Sequence, residues 1–219
     1  MSTQANYGRV ASVYRWLEYL AFGRTLQHSR TAFFERLGDC RSIGIFGAGD
    51  GRCFEPLLRA APRAEIESID IDPQFIALAR ERVAALPTSE RIRFIQADAR
   101  TWSAPSAKYD AVLTQYFLDC FTPGDLNVVV AKLAQSLSPD GEWLFADFSI
   151  PEKPAWARWR GRLWIFLLCT FFRWRADHPL RTLPPMHAAL SAAGFEVAAQ
   201  KTWSHGLVRA AVYRRSPSV

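Results

Sequence analysis

Apolar positions along this chain of 219 residues fall into two rhythms. Short apolar runs of strand length alternate with segments whose apolar residues recur at helical spacing. That alternation predicts an α/β fold built on a mostly parallel sheet. Strands are expected at 43–46, 64–69, 91–97, 109–114 and 142–148, and helices at 52–61, 73–86 and 125–137. In the tail, Pro184-Pro185 marks the start of a helix at 182–193, and strands follow at 194–202 and 207–213. Ahead of the first strand, Val10, Val13, Tyr14, Leu17 and Leu20 recur at helical spacing. A second helix is expected at 24–37, closed by Gly38-Asp39.

The first strand stops abruptly at Gly47-Ala48-Gly49-Asp50-Gly51. Glycine tolerates positive φ and lets the backbone approach a ligand closely. The helix that follows offers unpaired N–H groups and a partial positive charge. Together they make a cradle for a small polar ligand. Asp70 ends the second strand, roughly 20 residues beyond the turn, where dinucleotide-type sites hold a ribose diol. Asp72, directly before Pro73, fits a helix N-cap with proline at the first helical position, which leaves Asp70 for the ribose. Asp98-Ala99 ends the third strand. The glycine turn, Asp70 and Asp98 therefore share the carboxyl edge of the sheet, where open α/β sheets bind ligands.

On these motifs the chain resembles the class I S-adenosylmethionine-dependent methyltransferases, over about residues 6–215. The resemblance implies a Rossmann-like, seven-stranded, mostly parallel sheet with flanking helices and a final antiparallel strand. It implies one domain over 1–219: N-terminal helices (1–40), a cofactor-binding core (41–150), an aromatic, Arg-rich insertion (151–181) and a C-terminal helix and hairpin (182–219). S-adenosyl-L-methionine would be the cofactor. Gly47, Ala48, Gly49 and Gly51 would line its methionine end, and Asp70 would take the ribose hydroxyls with Ile71 on the adenine. Asp98 would accept from the adenine amino group beside Ala99, and Gln115 would stand near the methyl group. The family usually carries an acid two residues before the first glycine, where this chain has Ile45. Contacts to the methionine amino group are then expected from carbonyls or from the N-terminal region.

Composition adds bounds. Hydrophobic residues make up 49% of the chain, enough for a substantial core. Cys40, Cys53, Cys120 and Cys169 form no CxxC pair and the four histidines form no HxH or HExxH pattern, so neither a metal site nor a disulfide framework is expected. Reduced thiols and the absence of a signal-peptide layout fit the cytoplasm. The net charge of +6 is concentrated at the chain ends and from Lys153 to Arg181. Basic residues interleaved with aromatics occur only in that segment, so nucleic acid is not the expected partner.

That segment holds Trp156, Trp159, Trp164 and Trp174 and a ten-residue apolar run at 163–172, flanked by arginines on both sides. The run is too short to span a bilayer, which takes about 20 residues. It reads as a buried helix, a lid over an apolar pocket, or a peripheral contact (155–175) at the inner membrane surface.

After the fourth strand comes Gln115-Tyr116-Phe117-Leu118-Asp119, without the Pro-Pro-aromatic turn of enzymes that methylate base amines. Tyr116, Phe117 and Asp147 are the expected acceptor contacts. Asp119, His178 and His187 are candidates for a base, and Asp119 reads equally as a cap for the turn before Thr122-Pro123. Cys120 reads as a small buried hydrophobe. Asp147-Phe148-Ser149-Ile150-Pro151, the aromatic segment and Leu190-Ser191-Ala192-Ala193-Gly194-Phe195 are similar to the ubiquinone/menaquinone C-methyltransferases, with Asp147 where those enzymes have Glu. A small hydrophobic or amphipathic acceptor, lipid-like in character, follows from that similarity. Two alternatives stay open: an aminopropyltransferase using decarboxylated S-adenosylmethionine, which shares the Gly-x-Gly-Asp-Gly turn, and a non-catalytic, membrane-associated cofactor-binding protein.

Overall fold

The computed structural model describes residues 24–151, 153–176 and 182–216, with backbone alone for 167–169 and 171–176. The N-terminal apolar repeat and His178 lie outside the described residues.

Seven strands form one sheet: β1 (Ser42–Phe46), β2 (Glu65–Asp70), β3 (Ile92–Gln96), β4 (Tyr109–Gln115), β5 (Leu137–Phe148), β6 (Phe195–Trp203) and β7 (Val208–Arg215). Their order is β3-β2-β1-β4-β5-β7-β6. The first five strands are parallel, and β7 runs antiparallel to both of its neighbours. This is the Rossmann-like arrangement with its closing hairpin.

A parallel sheet needs both faces covered, which is why these strands read as nearly continuous apolar runs. On one face Ile43 and Ile45 of β1 pack with Ile66 against α2 (Phe54–Ala60) and α3 (Pro73–Val83). On the other, Phe46, Tyr109 and Trp143 pack against α4 (Pro123–Ser136) and α6 (Met186–Ala192). The one polar atom of the buried Trp143 ring is satisfied, its indole N–H donating to Thr114 Oγ1 at 2.9 Å. Local chemistry sets the helix starts. Asp72 accepts from the Gln74 N–H (2.8 Å) ahead of Pro73, as expected of a cap. Thr122, not Asp119, caps α4 by accepting from the Asp125 N–H.

Several boundaries depart from expectation, among them the start of the helix expected at 182–193, which is Met186. The helix expected at 24–37 is α1 (Thr25–Arg30) followed by a separate 3₁₀ turn at Phe34–Leu37. The Thr31 hydroxyl donates back to the Gln27 carbonyl (3.2 Å), a local bond that competes with helix propagation. The break lets both Phe33 and Phe34 enter the core. Residues 138–141 do not form a turn between helix and strand, because β5 already pairs at Leu137↔Tyr109. The register then shifts to Glu142↔Ala111, leaving those residues as a bulge inside the strand. The aromatic segment is one helix of 22 residues, α5 (Ala155–Ala176). No helix among the described residues is long and apolar enough to cross a membrane.

Candidate active site

The carboxyl ends of β1, β2 and β3 bring the glycine turn, Asp70 and Asp98 to one edge. Gly47 and Gly49 have φ of 67° and 57°, left-handed conformations open to glycine at no steric cost. A Cβ on Gly47 would overlap the Phe117 ring, whereas one on Gly49 would meet nothing within 4 Å. The turn is thus closed on its inner side and open on its outer side. Asp50 fixes it to the neighbouring helix, with Arg52 Nε at 2.9 Å from its carboxylate and Arg82 Nε donating to its carbonyl at 2.7 Å. Neither arginine has a role assigned from the sequence, and Arg82 makes these contacts from an exposed position near the end of its helix.

Asp70 accepts from the Asp72 N–H at 3.0 Å. Burial nonetheless raises its pKa to about 6, against the lowering effect of the N–H groups of Asp72, Gly49 and Ile71. Beside it, Ile71 leaves 37% of its surface exposed, an apolar face on the ligand edge. Asp98 is braced by Arg100, whose Nη2 lies 2.6 Å from its carboxylate and holds its pKa below the usual range. Ala99 is buried behind it. These features fit S-adenosylmethionine. There is open space above Gly49 for a close backbone approach, a carboxylate at the second strand end, an apolar shelf at Ile71 and an acceptor at the third. Ile45, fully buried in the core, contributes nothing polar to that edge.

The end of β4 builds the adjoining half. Tyr116 is left-handed (φ 55°), which costs a residue with a side chain about 1 kcal/mol. Its N–H donates to the Ala146 carbonyl (2.7 Å), its hydroxyl meets Ser29 Oγ (2.5 Å) and Arg30 stacks over its ring. Gln115 is buried, and its amide donates to the Arg30 carbonyl at 2.6 Å. Phe117 packs under Gly47 and on Phe121, with ring centroids 5.0 Å apart.

Asp119 and Asp147 come together here. The Asp119 N–H donates to Asp147 Oδ2 (3.3 Å), and the Phe148 N–H donates to Asp147 Oδ1 (2.8 Å). Asp147 is fully buried, and burial followed by the Asp119 charge drives its pKa well up. Asp119 is half-buried and Cys120 exposed by accessible surface, yet both are hemmed in closely enough for desolvation to raise their pKa values, to about 6 for Asp119. Cys120 is therefore not the buried hydrophobe expected, and its thiol keeps its proton.

His187 lies apart. Its ring packs on Phe145 and its Nδ1 meets the Tyr213 hydroxyl, against the middle of the sheet rather than at its carboxyl edge. Burial lowers its pKa to about 4. Another concavity, between Arg36, Asp110 and Glu142, lies at the opposite, amino edge of the sheet.

The carboxyl pair has a measurable consequence. The folded state holds protons on Asp119 and Asp147 more tightly than the unfolded chain does. Above about pH 4 the folded state is the more protonated, and stability falls as pH rises through about 6 and beyond. Asp147→Asn keeps an oxygen for the Phe148 N–H and removes the charge. It should melt at least about 3 °C above the parent at about pH 8, with the gap closing near pH 4. Thermal melts across that range check it, and a variant less stable at pH 8 would show the pair to be net stabilising.

Residues 45–141 match a family model described as a methyltransferase domain. Demethylmenaquinone methyltransferase of Thermus thermophilus is 29% identical over 137 residues, 62% of this chain and 60% of that protein. The chain thus spans about three-fifths of that curated relative. Among solved structures, the mitomycin 7-O-methyltransferase MmcR superposes with a TM-score of 0.69 at 19% identity, covering 94% of this chain and 58% of that one. The N-methyltransferase NodS of Bradyrhizobium japonicum, in complex with S-adenosyl-L-homocysteine, superposes with a TM-score of 0.60 at 16% identity, covering 88% and 84%. Over residues 45–141 the chain is thus similar to a methyltransferase domain, and its seven-stranded sheet has the order of the Rossmann-like methyltransferase fold.

Proposed function

We propose that the protein transfers a methyl group from S-adenosylmethionine to a small hydrophobic or amphipathic acceptor by in-line displacement. The observation that carries the acceptor class is the aromatic build of the acceptor half. Tyr116 and Phe148 meet edge to face at 5.1 Å and Phe117 and Phe121 at 5.0 Å, with the Asp119–Asp147 pair as the polar element between β4 and β5. A quinone-like ring with an apolar tail suits such a surface, and the similarity to a demethylmenaquinone methyltransferase supports that class.

In this reading Gly47, Ala48, Gly49 and Gly51 hold the methionine end of the cofactor. Asp70 takes the ribose hydroxyls, Ile71 and Ala99 flank the adenine, and Asp98, oriented by Arg100, accepts from its amino group. When bound, the cofactor supplies an electrophilic methyl group on a sulfonium. Gln115 and Tyr116 border the space above β4, where aromatic walls exclude water and align the acceptor. Asp119 is the base within reach of that space, and a pKa of about 6 leaves it ionised at neutral pH while still able to hold a proton. Such a protein works in the cytoplasm, with peripheral contact at the inner membrane surface through 155–175.

Incubation with methyl-labelled S-adenosylmethionine and whole-cell extract, followed by phase separation, tests the reading. Label is expected in the organic phase and lost with Asp70→Ala. Label confined to the aqueous phase would remove the hydrophobic acceptor. No transfer, with turnover of the decarboxylated cofactor instead, would favour an aminopropyltransferase.

A further inference from the structure

Helix α5 has a face that the fold leaves uncovered. At about 100° per residue, its side chains divide cleanly around the axis. Ala157, Gly161 and Ile165 form the buried arc. Gly161 lies against Pro151 and Leu207, and Ile165 joins Leu26, Phe148 and Val208, with Tyr116 and Trp164 packed alongside. Opposite that arc, Trp156, Trp159, Leu163 and Phe166 leave 54, 68, 42 and 60% of their surface in solvent. Arg158 and Arg162 are exposed on one side of this apolar stripe. Arg160 stands on the other, its guanidinium over the Trp156 ring at 5.6 Å and its Nη2 donating to the Ser204 carbonyl. The 22 residues of the helix include five arginines and no acid.

We infer that this outer face of α5 docks on an anionic lipid bilayer. A helix lies in a membrane interface when one face is apolar and rich in Trp, Phe and Leu while cations line its margins. Arginine stems extend along the apolar surface and carry their charge to the headgroups. The absence of any acid in the helix matches a negative surface, which attracts each cation that comes within a Debye length. The placement also has a direction. The buried side of α5 packs on Tyr116 and Phe148, so docking sets the acceptor half of the site against the lipid. This last step rests on the function proposed above, and the docking itself does not.

Flotation of the full chain with phosphatidylcholine vesicles, with and without phosphatidylglycerol, tests it. Co-flotation is expected only with the anionic lipid and should weaken as salt is raised. The combined variant Trp159→Glu, Leu163→Glu, Phe166→Glu should bind at least about tenfold more weakly. Arg158→Glu with Arg162→Glu should lose the preference for anionic lipid. All five positions are exposed, so calorimetric binding of S-adenosylhomocysteine should be unchanged in both variants. A parent that never floats overturns the inference. So does a triple variant that floats equally well, which would assign the binding to another part of the chain. Self-association of the parent that the triple variant abolishes, without vesicle binding, would make the face an interface between two copies. Flotation as expected, with label only in the aqueous phase of the transfer assay, would keep the docking and remove the lipid acceptor.

Discussion

Gly49→Ala should leave the protein folded and abolish cofactor binding, whereas Gly47→Ala should damage the fold itself. The two residues sit in one turn with similar backbone conformations. Each alanine incurs about 1–2 kcal/mol for a left-handed conformation. For Gly49 that is the whole cost, because the added methyl meets nothing within 4 Å. A fall of about 2–8 °C in Tm is expected, at 2–4 °C per kcal/mol. The methyl projects into the space assigned to the cofactor, so calorimetry with S-adenosylhomocysteine should show no saturable binding. For Gly47 the methyl collides with Phe117, which is itself pinned between Phe46 and Phe121. Overpacking of that kind adds about 1–3 kcal/mol, and the combined loss should lower Tm by about 4–20 °C. Normal cofactor affinity in Gly49→Ala would mean that the open side of the turn faces no ligand.

Asp70→Ala should reduce cofactor affinity about a hundredfold or more. Two hydroxyls donating to a charged acceptor contribute about 1.5–3 kcal/mol each, and each 1.4 kcal/mol is a factor of ten. The pH dependence identifies the group. Burial places the Asp70 pKa near 6, so affinity should rise with pH through that value and level off above it. Asp70→Asn keeps the volume and one acceptor, loses the charge, and should bind weakly with no step near 6. Unchanged affinity in Asp70→Ala would remove the ribose assignment. A step that persists in Asp70→Asn would point to Asp119, the other carboxyl pushed into that range.

The edge proposed to hold the cofactor was legible in the sequence because each part is local. A strand, a glycine turn and an acid at the end of the next strand are read within a few residues of one another, and the sheet topology then delivers them to one edge. Asp72 was legible for the same reason, since a cap and its partner lie two residues apart. The acceptor half depends on contacts across the fold. Nothing near Asp119 in sequence announces Asp147, 28 residues on, and nothing near Tyr116 announces Ser29, 87 residues back. Cys120 was misjudged because a small thiol says nothing of which way its turn faces. The bulge in β5 escaped because Ser138-Pro139-Asp140-Gly141 has the composition of a turn, while its course is set by the pairing of Leu137 with Tyr109. The uncovered stripe on α5 was visible as composition, but which side of the helix the core would claim was not.

Helix α1 touches both halves of the site. Gln27 donates to the Arg52 carbonyl just beyond the glycine turn, while Ser29 and Arg30 hold Gln115 and Tyr116 at the end of β4. Six residues therefore bridge the place assigned to the donor and the place assigned to the acceptor. Any shift of α1 that accompanies occupation of one place changes the contacts that shape the other. Thermodynamic linkage makes such an influence mutual: the factor by which the donor alters acceptor affinity equals the factor by which the acceptor alters donor affinity.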